Sequence, residues 1–162
     1  MNIKETISFD GRNIDLEWVE TREIPESIKI SQVTGLCVDE NNEILIIKND
    51  RGWGFPGGHP ELGETPEETL RRELAEEASV EIKDSILVGY VHASDPDNDS
   101  VEGKEYAQLR FFCRPSKIDE FKGEFETSER KFVSVDSLPE YIPWISSPVA
   151  AAQTESLKKL IR

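Results

Sequence analysis

At 162 residues the chain suits one domain with a sizeable core. Its formal net charge of −14, from 33 acidic against 19 basic residues, excludes the basic surface on which nonspecific nucleic-acid binding depends. Cys37 and Cys113 lack paired spacing, no apolar N-terminal run resembles a signal peptide, and no stretch approaches a membrane span, so a soluble, cytoplasmic chain with reduced thiols is expected.

The first thirty residues alternate apolar and polar around Asp10-Gly11, with Ile7 and Phe9 before the pair and Ile14, Leu16 and Trp18 after it. That pattern predicts a β-hairpin over about 5–19. Residues 32–38 and 43–49 read as a second pair of strands around Asp39-Glu40-Asn41-Asn42, and Trp53 to Phe55 as a short extended lead into a glycine turn at Gly57, Gly58 and Gly63. Thr65 is a good N-cap, Pro66 suits the first helical position, and Glu68 completes a capping box, so a helix starts there. Leu70, Leu74 and Ala78 share one stripe of it and should face the core. Beyond the helix, 85–93 and 105–113 are strands rich in Ile, Val, Tyr and Phe, and 129–135 is another. Ser147 and Pro148 open a C-terminal helix, about 147–161, whose Leu157, Leu160 and Ile161 pack inward. No repeat, low-complexity tract or linker divides the chain. Strands interspersed with few helices predict an α+β domain, a mixed sheet covered by helices.

On the first helix Glu73, Glu76 and Glu77 span roughly a third of the circumference beside the apolar stripe. A charge run is ordinarily a solvated helix face, and three carboxylates on one sector repel one another. The preceding glycine loop and the register of the acids favour a divalent cation as the compensating charge. Oxygen donors without a His/Cys cluster suit Mg²⁺ or Mn²⁺ rather than Zn²⁺. A loop carbonyl such as that of Gly57 completes such a shell, because glycine lets the backbone approach closely.

Residues 58–80 resemble the Nudix box, Gly-x5-Glu-x7-Arg-Glu-U-x-Glu-Glu-x-Gly-U with U a bulky aliphatic residue. Gly58, Glu64, Arg72, Glu73, Leu74, Glu76, Glu77 and Val80 match in register, only Ser79 departs, and the lead-in Gly52-Trp53-Gly54-Phe55-Pro56-Gly57-Gly58 is similar to the family's. The resemblance implies a Nudix-type α/β/α sandwich over roughly 32–140. It implies divalent-metal-dependent hydrolysis of a nucleoside diphosphate linked to another moiety, a small-molecule nucleotide substrate such as a modified nucleoside triphosphate or ADP-ribose. By analogy Glu73, Glu76 and Glu77 hold the cations, Glu73 helps deprotonate water, and Arg72 orients the carboxylates. The family's glycine at the helix end often adopts the left-handed region, where Ser79 would cost on the order of 1 kcal/mol.

Around the box the readings stay open. Glu61 should hydrogen-bond loop amides, Glu64 stands behind the metal ligands, and His59 is a solvated loop residue. Lys48 and Arg51 are either ordinary strand-end charges or a grip on phosphate, which the acidic protein would otherwise repel. The family often places an extra acid near Glu124–Glu129, for which Glu129 and Glu126 are candidates, Glu129 as a metal ligand. Ser94 to Lys104, with Asp95, Asp97, Asp99 and Glu102, is superficially a calcium loop, but counted from Asp95 the sixth and twelfth positions hold Ser100 and Tyr106 instead of Gly and Glu. A mobile polar loop or a substrate-recognition loop remains. Pro96 stands where some ADP-ribose-cleaving members carry proline, although turn chemistry alone explains it. The tyrosine of dinucleoside polyphosphate hydrolases is missing, with Asp97 and Asn98 in its place, as is the upstream pattern of coenzyme A hydrolases. The rival function is a non-catalytic nucleotide-binding module, which would be expected to have lost its acids. A homodimer through the hairpin and the last helix is compatible with either.

Overall fold

Asp10 and Gly11 both take positive φ, 50° and 75°, as a tight hairpin turn between right-twisted strands requires. They join β1 (Ile3–Phe9) to β2 (Arg12–Glu20), antiparallel from Ile3 opposite Trp18 to Phe9 opposite Arg12, in the computed structural model, which describes residues 2–161. Ile14 and Trp18 of β2 are buried, whereas Ile7 and Phe9 are exposed because β1 is the outer strand of its sheet.

The second strand pair is not a hairpin within one sheet. β3 (Lys29–Cys37) and β4 (Glu43–Asn49) belong to different sheets, touching through the isolated bridge between Val38 and Ile44. The reason is written in Ile44, Leu45, Ile46 and Ile47, which are all buried. Alternation sends Ile44 and Ile46 into one core and Leu45 and Ile47 into the other. A strand apolar on both faces needs a layer on each side.

β4 is therefore the centre of a three-stranded sheet between β5 (Gly52–Gly54) and β9 (Glu129–Ser134). The larger sheet has the order β1-β2-β7-β8-β3-β6, where β6 is Gly57–Gly58, β7 is Val80–Ser94 and β8 is Glu105–Ile118. Its long strands, β7 and β8, extend past the predicted 85–93 and 105–113. β7 runs antiparallel to β8 and β8 parallel to β3, so the sheet is mixed.

The helix α1 (Pro66–Ala78) buries Leu70, Leu74 and Ala78 against the core containing Val33, Leu45 and Leu109. On the other core, Val149, Ala150 and Leu157 of the C-terminal helix pack with Trp18, Ile44 and Phe112. Trp18 Nε1 also donates to Ser156 Oγ of that helix at 3.0 Å. Between β9 and this helix the chain makes a short α2 (Leu138–Tyr141), which the sequence reading left out, so the C-terminal helix is α3 (Pro148–Ile161). Helices α1 and α3 with the two sheets form the expected α+β sandwich.

Asp95, in the acidic stretch from Ser94 to Lys104, is tied into the fold. It is fully buried, takes Arg12 at 3.0 and 3.2 Å, accepts from the Tyr106 hydroxyl at 3.1 Å, and its backbone N–H reaches Lys104 O at 2.7 Å. Cys37 and Cys113 are buried free thiols on paired positions of β3 and β8; their mutual contact, reinforced by burial, pushes the Cys113 thiol pKa up. Among the described residues no helix is long and apolar enough to cross a membrane.

Candidate active site

The glycine turn delivers α1 through the expected cap. Thr65 Oγ1 accepts from Glu68 N at 3.2 Å, and Glu68 Oε1 accepts from Thr65 N at 2.9 Å. At the other end Ser79 is left-handed, φ 57° and ψ 42°, with its N–H returned to Ala75 O at 3.2 Å. The strain expected of serine at the family's glycine position is therefore present.

Arg72 is the hub of the box. Its Nε and Nη2 grip the two oxygens of Glu64 at 2.7 and 3.0 Å, while Nη1 donates to Glu73 Oε1 at 2.8 Å and Glu76 Oε2 at 3.3 Å. A planar fork suits this task, since it fixes one carboxylate bidentately and still has donors for two more. The Arg72 guanidinium draws the Glu64 carboxyl down to about 2, helped by the Glu61 amide. Glu64 stands behind Glu73 and Glu76 through Arg72, and it also takes the loop-amide role expected of Glu61. Glu64 takes the loop amide of Glu61 at 2.8 Å, and the Glu61 carboxylate instead sits 3.6 Å from Arg72. His59 is mostly exposed; its carbonyl accepts from Arg72 Nη2 at 3.2 Å.

Glu77 turns the other way, accepting from Gly57 N at 2.8 Å. Burial pushes its carboxyl up to about 7 against that hydrogen bond, with Glu73 and Glu76 adding repulsion. Glycine is needed beside it. A Cβ on Gly57 would come within 2.8 Å of Thr34 Cα, and one on Gly58 within 2.7 Å of the Glu73 carboxyl carbon.

Among the described residues no group of three or more acidic, histidine or cysteine side chains converges as a ready metal cage. The arrangement nevertheless fits a hard divalent cation. The donors are oxygens, Arg72 now carries the charge opposite Glu73 and Glu76, and the proton favoured on Glu77 is what a cation would displace.

Glu77 and Gly57 open onto a cleft of about 400 Å³, within the size range of small-molecule sites. Arg51, Trp53 and Phe55 line it, together with Gln32, Thr34, Arg110 and Trp144. Trp144 meets Phe55 edge-on, 6.3 Å between centroids, and Tyr141 braces Trp53 likewise at 5.8 Å. Lys48 lies apart from this lining. It pairs with Glu129 at 3.4 Å and sits 5.9 Å over the Trp53 ring. The Glu124–Glu129 segment abuts the end of α1, where the Thr127 hydroxyl donates to Glu77 O at 3.0 Å. Arg110, Gln32 and Trp144 escaped the sequence reading. The available signal was an arginine inside the apolar run from Leu109 to Cys113.

Two sheets between helices, with a glycine turn feeding an arginine-bound acidic helix beside a cleft, suit a phosphohydrolase. The family model for the NUDIX domain matches residues 29–153. An 8-oxo-dGTP diphosphatase of Proteus vulgaris is 36% identical over 102 residues, 59% of this chain and 81% of that protein. YjhB of Bacillus subtilis (strain 168), provisionally named an ADP-ribose pyrophosphatase, is 30% identical over 116 residues, 69% of this chain and 54% of that one. The Bacillus subtilis pyrophosphohydrolase BsRppH, in a mutant form, superimposes with a TM-score of 0.71 over 96% of this chain and 97% of that one, at 18% identity, a likeness of fold. The chain belongs to the NUDIX family and is a hydrolase of phosphoric anhydride bonds.

Proposed function

We propose that the chain hydrolyses a nucleoside diphosphate linked to another moiety, with Glu73, Glu76, Glu77 and the Gly57 carbonyl as ligands of Mg²⁺ or Mn²⁺. The observation that carries this reading is the Arg72 network, which gathers Glu64, Glu73 and Glu76 at the helix whose Glu77 opens onto the cleft. When bound, the cation polarises phosphoryl oxygens, acidifies water and offsets charge on the leaving group. Arg72 orients the carboxylates, and Glu64 fixes Arg72. Glu73 accepts the proton of the attacking water; oxygen adds to phosphorus, the P–O anhydride bond breaks, and two phosphorylated products leave. Glu129, now neutralised by Lys48, is the outlying acid of this set, and Arg51 at the cleft wall is a grip on phosphate.

The relatives' names support two substrate classes, modified nucleoside triphosphates and ADP-ribose. The test is a hydrolysis screen of both classes with Mg²⁺ and Mn²⁺, products resolved to show which phosphate bond broke. Cleavage abolished by chelator is expected. No cleavage across the panel with either metal overturns this reading in favour of a nucleotide-binding module.

A further inference from the structure

Arg110 stands on β8 between Gly89 of β7 and Thr34 of β3, in the interior of the larger sheet. Its guanidinium donates to Gln153 Oε1 of α3 at 3.0 Å, to Thr34 Oγ1 at 3.1 Å and to Gln32 Oε1 at 3.2 Å. Weaker contacts reach Leu109 O at 3.3 Å and Gln108 Oε1 at 3.4 Å. All five acceptors are uncharged. Arg12 and Arg72, by contrast, are held by Asp95 and Glu64. In a chain with 33 acids, a carboxylate partner was readily available to selection, yet amides and a hydroxyl stand there instead.

Neutral acceptors fix the orientation of a guanidinium without cancelling its charge. Burial without a counter-charge is unfavourable, and it pushes the Arg110 pKa down to about 10, which leaves the group protonated at neutral pH. The uncancelled charge faces a cavity and not closed packing. Arg110, Gln32 and Thr34 border the same cleft as Gly57 and Glu77, with Trp144 on its wall. Two of the proposed cation ligands, Glu77 and Gly57, therefore share one cavity with the guanidinium.

We propose that Arg110 is a substrate-binding residue whose guanidinium takes a non-bridging oxygen of the substrate's diphosphate, with Gln153, Gln32 and Thr34 as the positioning residues that hold its fork. This rests on the reading of the site as a diphosphate hydrolase. It gives α3 a part in that site through Gln153. It also makes the phosphate chain, more than the base, the group recognised at this point of the cleft, since a planar guanidinium matches phosphate oxygens and is lightly hydrated.

The experiment separates binding from hydrolysis. In EDTA, inorganic pyrophosphate at millimolar concentration is compared with sodium chloride of equal ionic strength by thermal melting of the parent, Arg110→Gln and Arg110→Lys. Pyrophosphate should raise the parent's Tm by about 2–4 °C over the salt control. Arg110→Gln should lose the rise and Arg110→Lys keep part of it, because a point charge replaces the fork. On a substrate that the parent cleaves, Arg110→Gln should raise KM about 10- to 100-fold, the range for a hydrogen bond to a charged group, with a smaller change in kcat. An Arg110→Gln protein that responds to pyrophosphate like the parent overturns the proposal, as does a parent with no response beyond salt. If Arg110→Gln does not fold, a full parental response in Arg110→Lys counts against the proposal in the same way. The melts need neither metal nor turnover, so a negative result here leaves the hydrolysis screen standing, and a negative screen leaves these melts interpretable.

Discussion

Glu64 and Glu77 flank the functional face of α1 and are driven in opposite directions by their surroundings. Arg72 holds Glu64 at about 2, so the folded state favours its ionised form. That contribution is complete above the unfolded pKa and fades as pH falls toward 2. Burial holds Glu77 at about 7, against an ordinary value of 4.5. Between these two values the metal-free folded protein keeps a proton that the unfolded chain has lost, so stability declines as pH rises through that window. Glu77→Gln mimics the neutral carboxyl and keeps an acceptor for the Gly57 N–H. In EDTA its Tm should match the parent's near pH 4.5 and exceed it at pH 8; parallel curves would show that Glu77 does not carry the strain. Glu73 supports a kinetic expectation. Glu73→Gln keeps the side chain's shape but removes a proton acceptor, and should cost at least about a hundredfold in turnover with the fold retained. Near-parental turnover at saturating Mg²⁺ would move the base into the Glu126–Glu129 segment.

The box helix separates architecture from chemistry around its circumference. Leu74 is fully buried beneath Gly35, where a Cβ would already meet the Leu74 side chain at 3.4 Å. Leu74→Ala should lower stability by roughly 2–5 kcal/mol through lost burial and a cavity, measured by denaturant melts, with activity following the folded fraction. Ser79→Gly acts at the left-handed C-terminus and should gain up to about 1 kcal/mol with turnover unchanged. The cap, the stripe and this strained end were legible in the sequence because each depends on residues within a turn or two. The partners of β4 were not. Two strands separated by Asp39–Asn42 look like a hairpin until Ile44 to Ile47 must satisfy two cores, which is a property of the assembled layers. The cleft was hidden for the same reason. One wall is the contiguous stretch from Ile47 to Gly57, but the rest comes from β3, α1, β8 and the turn holding Trp144, which nothing local connects to it. Asp95 looked like part of a loose acidic loop because Arg12, its partner, lies 83 residues earlier in the chain.

At the scale of the whole molecule, the charge of −14 works against both an anionic substrate and the crowding of Glu73, Glu76 and Glu77 on one helix. The fold answers locally. Arg72 neutralises part of the cluster, Arg51 and Arg110 place positive charge around the cleft, and a bound cation is proposed to complete the balance. Such a cation would bind the folded chain, whose α1 carries Glu73, Glu76 and Glu77 on one sector, far better than the unfolded one. Mass action then requires stabilisation, about 2.7 kcal/mol when the free cation reaches a hundred times its dissociation constant. For a chain of this size that corresponds to a rise of several degrees in Tm. Millimolar Mg²⁺ or Mn²⁺ should therefore raise the melting temperature well beyond sodium chloride of equal ionic strength, which merely screens the acidic surface. Glu77→Gln should weaken the cation response while leaving the salt response intact. A parent that melts at the same temperature with Mg²⁺, with Mn²⁺ and with matched salt would remove Glu73, Glu76 and Glu77 as a metal site of the folded protein.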